Sequence, residues 1–507
     1  MADGGGVNVS SSIDRRANEQ LGEHHLRVID AIAQSVGFMG PVFSSALLIP
    51  LVVGAGASSK GAGIATPLAI ILAGIGIGAI GWIIAAYSKR IHAAGALYDY
   101  VTDGLGKRIG FVAGWLYYGC TMILASAIVV VVGGITSDFL RSTYGVGIPY
   151  WLLDLIYAIL LFSFLYFGVR ISTRVQLTLV FSSVLFVVGF LISVIIRGGH
   201  GGNTIRPFNP TASADGWSGI FFGIIYAILL FVGFESAANL GEETAHPKKS
   251  VPLAIIGSVV VVGVIFVVGA YAQDIGFGLN VAKWAANPAP LFTLGASGNF
   301  GNSIIFDLLN IVVILDIMAV GLGAAVATTR GLFAMARDRR IPSTFAKVNR
   351  RWGTPVNAII FQVLVGVAFV VLVRLDKGVF PLHGSPQYFP LFAWMAGLGG
   401  LGLVVVYATI AIGAIPGLWN YARRFSLVVA VLVGFVVSAG GIFGSIYKVS
   451  APDNQWIWYL IGWVACGSAL TIWNLAHENH SLTVRSETNV EFAVPEMVEQ
   501  LREGDIG

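Results

Sequence analysis

Long apolar segments, each about the length needed to cross a lipid bilayer, are the feature that most constrains the fold of this chain. Hydrophobic residues make up 56% of its 507 residues, and charged residues make up only 11%. The mean hydropathy is +0.81. A soluble domain carries roughly 25% charged residues, so this chain has too few to cover a water-exposed surface. It is therefore predicted to be an all-α integral membrane protein, with the lipid bilayer as its main solvent.

The apolar segments can be counted, because a helix that crosses a hydrocarbon core of about 30 Å needs about 20 apolar residues. Windows of that length predict twelve transmembrane helices. Their predicted limits are 30–54, 65–87, 110–134, 151–168, 174–197, 217–240, 251–272, 303–334, 355–374, 388–413, 426–447 and 456–476.

The distribution of positive charge agrees with this count. If the N-terminus lies in the cytoplasm, 22 of the 30 Lys and Arg residues fall on the cytoplasmic side. Such an excess is what the positive-inside rule requires. Both termini are therefore predicted to be cytoplasmic, and the compact loops favour a bacterial inner (plasma) membrane.

The sixth span contains an ionisable group in the segment FVGFES, residues 231–236. Ionisable side chains inside a membrane are costly and usually face a cavity or a partner. Gly233 weakens the helix beside Glu235, which is typical of the discontinuous helices that bind substrate in transporters. The alternative is a structural Glu paired with another helix.

The first span is interrupted in a similar way by the segment SVGFMGP, residues 35–41. Pro41 lacks a backbone N–H and clashes with the preceding turn, so several main-chain groups are freed together. A simple proline kink is the alternative. The first and sixth spans are five apart, however, and this is the offset expected for two inverted five-helix repeats.

Other polar side chains lie in the eighth span. Asp316 is predicted to attract a cationic substrate in an outer vestibule, or else to be hydrogen-bonded between helices. Thr328 and Thr329 lie deeper in the same helix. Their hydroxyl groups are candidates to coordinate Na⁺, although back-bonding to the helix is the alternative.

Three stretches, taken in order, resemble the amino acid–polyamine–organocation permeases. RIHAAGALYDYV (90–101), followed by Gly114-Trp115, is similar to the family's loop after helix 2. FVGFESAANLGEETAHPKKSVP (231–252) resembles its helix 6 and the loop that follows. RGLFAMARD (330–338), which leads to Ile341-Pro342 and Gly353-Thr354-Pro355, resembles its segment after helix 8. The resemblance covers residues from about 25 to 475.

The resemblance implies the LeuT-like fold, in which two inverted repeats of five helices are followed by two further helices. The divisions implied are an N-terminal tail (1–28), a first repeat (29–200), a second repeat (201–413), helices 11 and 12 (414–476) and a C-terminal tail (477–507). The substrate-site residues implied are Val36, Gly37, Phe38, Met39, Gly40, Pro41, Phe231, Gly233, Phe234, Glu235 and Ser236.

The coupling ion is left open between H⁺ and Na⁺. Many proton-coupled members of the family carry a Lys on helix 5, about four helical turns after a G-V-R motif. Counting from Gly168 reaches Ser183 instead. Glu235 is the candidate to take its place, because a carboxylate in a membrane cavity can bind and release a proton. The rival is Na⁺ held by helix-1 carbonyl groups, Ser183 and either Thr328 or Thr329.

The predicted function is secondary-active, proton-coupled transport of amino acids or related amines by alternating access. The alternatives are a carrier of polyamines or organic cations, a Na⁺-coupled symporter and, more remotely, a channel or a sensor. The sequence has no phosphate-binding G-x-x-x-x-G-K-[ST] motif for a primary pump and no H-E-x-x-H or G-x-S-x-G motif for an enzyme. The expected partners are the small-molecule substrate and H⁺ or Na⁺, with no cofactor, metal or nucleic acid, and a homodimer is left open.

Overall fold

The computed structural model describes residues 26–54, 61–287, 289–349, 351–375, 388–447, 449 and 451–477. Over these residues the chain is α-helical and contains no β-strand. Its helices are α1 (Val28–Val53, interrupted at Gly40), α2 (Gly63–Ser88), α3 (Leu97–Leu105), α4 (Lys107–Tyr144), α5 (Tyr150–Tyr166), α6 (Val169–Ile196), α7 (Gly216–Leu240, interrupted at Phe231), α8 (Pro247–Gly276), α9 (Val281–Ala285), α10 (Pro290–Gly295), α11 (Ser303–Arg337), α12 (Val356–Leu375), α13 (Tyr388–Leu418), α14 (Arg424–Ile446) and α15 (Trp456–His477).

Ten helices in the described part of the chain are long and apolar enough to cross a membrane, and two shorter apolar helices, Tyr150–Tyr166 and Val356–Leu372, accompany them. These two lie at the fourth and ninth predicted spans. The all-α membrane class is confirmed. The count of twelve crossings, the two repeats, the orientation and the homodimer remain predictions. The tails predicted at 1–28 and 477–507 fall almost wholly outside the described residues.

The structure differs from the predicted spans at α3 and α4. Helix α3 was not predicted, because Asp99 and Asp103 lower the hydropathy of that short segment. Helix α4 continues well beyond the predicted limit of 134, although its last turns carry charged residues. It stops where Gly145 adopts a left-handed φ of 69° and donates to the carbonyl groups of the last turn. Such a glycine is a common helix terminator.

The interrupted helices α1 and α7 lie in the middle of the bundle. They contact each other and α11, while α4 packs against both α11 and α13. Along α1, 89% of the most apolar window is buried inside the protein, against 33% for α6. Because α1 and α7 are shielded from lipid, the main-chain groups freed at their interruptions face protein, which is the only place where a membrane tolerates them.

Candidate functional site

The first interruption lies between two parts of α1. Gly40 ends the first part with a left-handed φ of 56°, and its N–H donates to the carbonyl of Val36. A side chain is disfavoured here, because a Cβ on Gly40 would also come within 2.1 Å of Val320. Pro41 begins the second part, where its missing N–H is not needed. The main-chain N–H groups at this new N-terminus that need a partner from outside the helix are therefore those of Val42 and Phe43.

Asp316 of α11 binds both of these groups. Its Oδ2 atom accepts hydrogen bonds from Val42 N at 3.0 Å and from Phe43 N at 2.8 Å. The carboxylate thus caps the second part of α1 from a different helix, where the helix dipole favours negative charge. Asp316 is fully buried, and its Oδ1 has no hydrogen-bond partner among the described residues. In this structure it lies between helices and is not open to an outer vestibule.

The second interruption lies in α7. Regular helix ends at Leu230, a turn follows, and residues 234–240 form a 3₁₀ segment. Gly233 has a φ of 108°, and a Cβ there would lie 2.5 Å from the ring of Phe38. The two interruptions are therefore in direct contact, and a glycine is required at their closest approach.

Glu235 is fully buried at this second interruption. Its Oε2 accepts a hydrogen bond from Gly233 N at 3.2 Å, and its Oε1 accepts one from the Tyr117 hydroxyl of α4, also at 3.2 Å. The Tyr407 hydroxyl of α13 lies near the same carboxylate, outside the geometry of a normal hydrogen bond. The carboxyl group therefore links α7 to α4 by a hydrogen bond, and its protonation state bears on both helices.

Two serines join the interrupted helices. The Ser35 hydroxyl donates to the carbonyl of Phe234 at 2.7 Å and accepts from Ala237 N at 3.2 Å. The Ser236 hydroxyl donates to the carbonyl of Gln34 at 3.2 Å. These three buried bonds link the side chains of one interrupted helix to the main chain of the other, so α1 and α7 are held together close to where both unwind.

Aromatic residues predicted for the substrate site are also buried. Phe231 packs edge-on against Phe266 of α8, with ring centroids 5.4 Å apart, and Phe234 lies 5.5 Å from the ring of Tyr407. A cavity of about 40 Å³ lies beside them, and Phe38, Met39, Phe43, Val320 and Phe392 are among its lining residues. A single water needs about 10–15 Å³ by this measure, so the cavity holds about three waters and must widen to admit a solute.

The structure does not bring together the three residues proposed for Na⁺. The Ser183 hydroxyl donates to the carbonyl of Val312 at 2.9 Å. Thr328 lies sixteen residues further along the same unbroken helix, which is roughly 24 Å at 1.5 Å per residue. Ser183 and Thr328 cannot therefore ligate one ion in this conformation. The helical separation was not considered in the sequence-based prediction.

Thr328 and Thr329 instead bond within the protein. The Thr328 hydroxyl donates to Ala324 O at 2.9 Å and lies 3.0 Å from the hydroxyl of Thr121 on α4. The Thr329 hydroxyl donates to Ala325 O at 2.8 Å. Both show the back-bonding that was the alternative for these residues.

Gln176 of α6 is a residue that the sequence analysis missed. It is fully buried, and its side-chain amide donates to the carbonyl of Ala319 on α11 at 2.9 Å. It also packs against Gly37 and Gly323, where a Cβ would approach it to about 2.5 Å or less. Gln176 therefore fills the junction of α1, α6 and α11. A lone Gln in an apolar span was the available signal.

A charged network lies beyond α7, on the predicted cytoplasmic side. Arg330 Nε lies 3.0 Å from Glu243 Oε1, and both side chains are almost completely buried. Arg337 binds Glu242 through two nitrogens, at 2.6 and 2.9 Å. The paired glutamates and the two arginines belong to two different sequence motifs, and the structure shows that these motifs meet.

A tyrosine joins the same network from α3. The Tyr98 hydroxyl donates to Asp338 Oδ2 at 3.0 Å. Burial, together with the charge of Asp338, raises the pKa of Tyr98 well above its usual value, so the hydroxyl stays protonated and remains a donor. The main-chain N–H of Ala94 also donates to Glu242 Oε1, at 3.0 Å. The network therefore connects α11, the segment after α7 and the segment around α3.

Comparisons with known proteins agree with this architecture. The amino acid permease family model matches residues 36–398. The branched-chain amino acid permease BcaP of Lactococcus lactis subsp. cremoris is 26% identical over 77% of this chain and 84% of its own length. The methylthioribose transporter of Bacillus subtilis is 23% identical over 84% of this chain and 88% of its own length.

A solved structure is also similar. The manganese transporter of Eremococcus coleocola, a LeuT-like-fold protein, matches with a TM-score of 0.55 and 13% identity over 94% of this chain and 96% of that one. This likeness supports the fold alone. The family match over most of the chain shows that this protein is an integral plasma-membrane transporter that belongs to the amino acid permease family.

Proposed function

We propose that this protein is a secondary-active transporter that carries amino acids or related amines with apolar bodies, by alternating access and in symport with protons. The substrate would bind where α1 and α7 unwind, within reach of residues 36–41 and 231–236. Freed main-chain groups and the adjacent apolar cavity support this location. An apolar body also agrees with the name of the relative BcaP, a branched-chain amino acid permease.

Proton coupling rests on Glu235. It is a fully buried carboxyl group that contacts the unwound segment of α7 and the Tyr117 hydroxyl of α4. The ring of Phe234, its neighbour in the chain, packs against Tyr407 of α13. A proton on this group would remove the charge that Gly233 N and the Tyr117 hydroxyl stabilise. The bond from Tyr117 joins α7 to α4, so protonation and movement of these helices are coupled in this proposal.

The test is transport in proteoliposomes with imposed gradients. Wild-type protein is expected to accumulate substrate when the outside is acidified, whether or not Na⁺ is present. Glu235→Gln keeps the size of the side chain but cannot release a proton. It is expected to retain exchange of labelled for unlabelled substrate while losing accumulation driven by the pH gradient.

Asp154→Asn is the matched control. Asp154 is also a buried carboxyl group in a membrane helix, and its Oδ1 accepts a hydrogen bond from Gly133 N at 2.8 Å, but it lies on α5, away from both interruptions. Accumulation driven by the pH gradient is expected to survive in this variant. If Glu235→Gln still accumulates substrate against a gradient, Glu235 is not the proton site. Dependence on a Na⁺ gradient alone would favour the Na⁺-coupled alternative.

The membrane orientation is part of the same proposal. With both termini cytoplasmic, the ion-paired network of Glu242, Glu243, Arg330 and Arg337 closes the cytoplasmic side of the substrate site. The test uses a variant in which Cys466 is replaced and a cysteine is introduced in the C-terminal tail. Intact cells that express this variant are treated with a thiol-reactive probe. Labelling by an impermeant reagent only after permeabilisation is expected.

A further inference from the structure

The main-chain donors at the interruption of α1 are already occupied. The N–H of Gly40 donates to Val36 O at 3.1 Å, Pro41 has no N–H, and those of Val42 and Phe43 both donate to Asp316. In discontinuous transport helices the N-terminus of the half-helix is the group that binds an anionic part of a substrate. Here a carboxylate of the protein itself takes that position.

The interruption of α7 shows the same pattern. Val232 N donates to Leu229 O and Phe234 N donates to Phe231 O, both at 3.2 Å. Gly233 N, between them, donates to the carboxylate of Glu235. A second carboxylate of the protein therefore occupies the freed donor at the second interruption.

The cavity between the helices adds no further donor for an anion. Ser44 is the one polar residue among its described lining residues, and its hydroxyl already donates to Met39 O at 2.8 Å. Lone pairs, in contrast, are available, because the buried Oδ1 of Asp316 has no hydrogen-bond partner among the described residues. Asp316 lies beside the cavity. It accepts a hydrogen bond from Phe43 N, and both Phe43 and Val320, one turn further along α11, line the cavity.

From this arrangement we propose that the solute is a monoamine without a carboxylate group. Its ammonium group would contact Asp316, and its compact apolar body would lie in the cavity near Phe38 and Phe43. A zwitterionic amino acid would have to displace Asp316 from the main-chain donors and hold its own carboxylate near two others, which like-charge repulsion opposes. A polyamine would need a second carboxylate with an oxygen still free, and both oxygens of Glu235 already accept hydrogen bonds.

This inference rests on the proposed function, because it takes the two interruptions as the substrate site. It is tested with pairs of compounds that differ only in the carboxylate: 3-methylbutan-1-amine against leucine, and 2-phenylethylamine against phenylalanine, with putrescine as the diamine. The purified full-length protein is unfolded thermally in the presence of each compound. A compound that binds the native state raises the melting temperature by mass action.

The amines are expected to stabilise the wild-type protein, at concentrations at least about tenfold lower than those at which their amino acid counterparts or putrescine have an effect. Asp316→Asn is expected to abolish this preference, because it removes the charge that binds the ammonium group. The matched control is Asp307→Asn on the same helix. Asp307 is half-buried, its Oδ2 lies 3.4 Å from the Tyr144 hydroxyl, and the preference is expected to persist in that variant.

The outcomes separate the two claims. If leucine or phenylalanine stabilises the wild type better than its amine, Asp316 is a group that the substrate carboxylate displaces. This inference is then wrong while the proposed function stands, and Asp316→Asn would bind the amino acid more tightly. If no compound of either kind binds or is transported, the proposed function fails as well. The wild-type comparison decides the question even if Asp316→Asn does not fold.

Discussion

Replacing Glu243 by Gln is expected to destabilise the closed form of the protein at the charged network, on the predicted cytoplasmic side. Glu243 and Arg330 have exposed side-chain fractions of 3% and 0%, and their charged atoms are 3.0 Å apart. Gln retains an acceptor but leaves the guanidinium charge buried without a counter-charge. Removing one partner of a buried ion pair costs about 3–5 kcal/mol. If this falls entirely on the closed form, the ratio of open to closed protein rises roughly a hundred- to a few-thousand-fold.

The assay is hydrogen–deuterium exchange of the purified protein, followed by mass spectrometry of peptides that cover 91–101 and 237–246. The N–H of Ala94 reports on the network, because it donates to Glu242. Its protection is expected to fall strongly in the Glu243→Gln variant. The control is Asp103→Asn, which breaks the more exposed Arg90–Asp103 pair, with exposed fractions of 16% and 19%. This pair is only partly buried, and Arg90 keeps its bond to Gly417 O when Asp103 loses its charge. Protection should therefore change much less than in Glu243→Gln.

Equal loss of protection in both variants would refute the reasoning, because burial would then not set the strength of the pair. The double variant Arg330→Met with Glu243→Leu provides a second check. It removes both charges together, and well-packed apolar side chains in place of a buried ion pair are often neutral or stabilising. Protection near Ala94 is therefore expected to return toward the wild-type level, and no recovery would show that the charges are needed for more than mutual compensation.

Two further predictions concern the interruptions. Gly40→Ala is expected to lower stability by about 1–3 kcal/mol and to abolish transport, because a Cβ would be strained at a φ of 56° and would collide with Val320. The control is Gly78→Ala, where a Cβ meets nothing within 4 Å. Its melting temperature and its uptake should match those of the wild type. Ser35→Ala is expected to cost about 1–3 kcal/mol, because it removes two buried hydrogen bonds between α1 and the main chain of α7, to Phe234 O and from Ala237 N. Ser163→Ala is the control: Ser163 is half-buried and its hydroxyl bonds only to Ile159 O in its own helix, so the variant's stability should stay within about 0.5 kcal/mol of wild type.

The positions of the helices and of both interruptions could be predicted from the sequence, because both depend on local properties. About 20 apolar residues in succession suffice to predict a spanning helix, and residues such as Pro41 and Gly233 disturb a helix wherever it lies. The predicted limits of a span were wrong where a helix continues beyond its apolar residues. The end of α4 carries charged residues yet stays helical until Gly145, so a hydropathy window ended it too early.

The partners of the site residues could not be predicted, because they come from distant parts of the chain. Asp316 lies 274 positions from Val42, and nothing near Asp316 in the sequence indicates which helix end it caps. Ser183 and Thr328 appeared compatible as joint ligands only while the direction and length of α11 were unknown. The family resemblance located the motifs of Glu243 and Arg330, but their pairing needed the packing of α7 against α11.

The hydrogen bonds described at the two interruptions, which join α1 to α7 and to α11, share one property: each has a main-chain atom at one end. Asp316 binds the N–H groups of Val42 and Phe43, Ser35 binds the N–H and C=O groups of α7, and Gln34 donates to the carbonyl of Gly323. Substituting the side chain of Val42 or Phe43 therefore leaves these bonds in place. Substitutions in the apolar wall of the cavity, natural or engineered, can therefore change which solute fits while the hydrogen bonds between the helices stay the same.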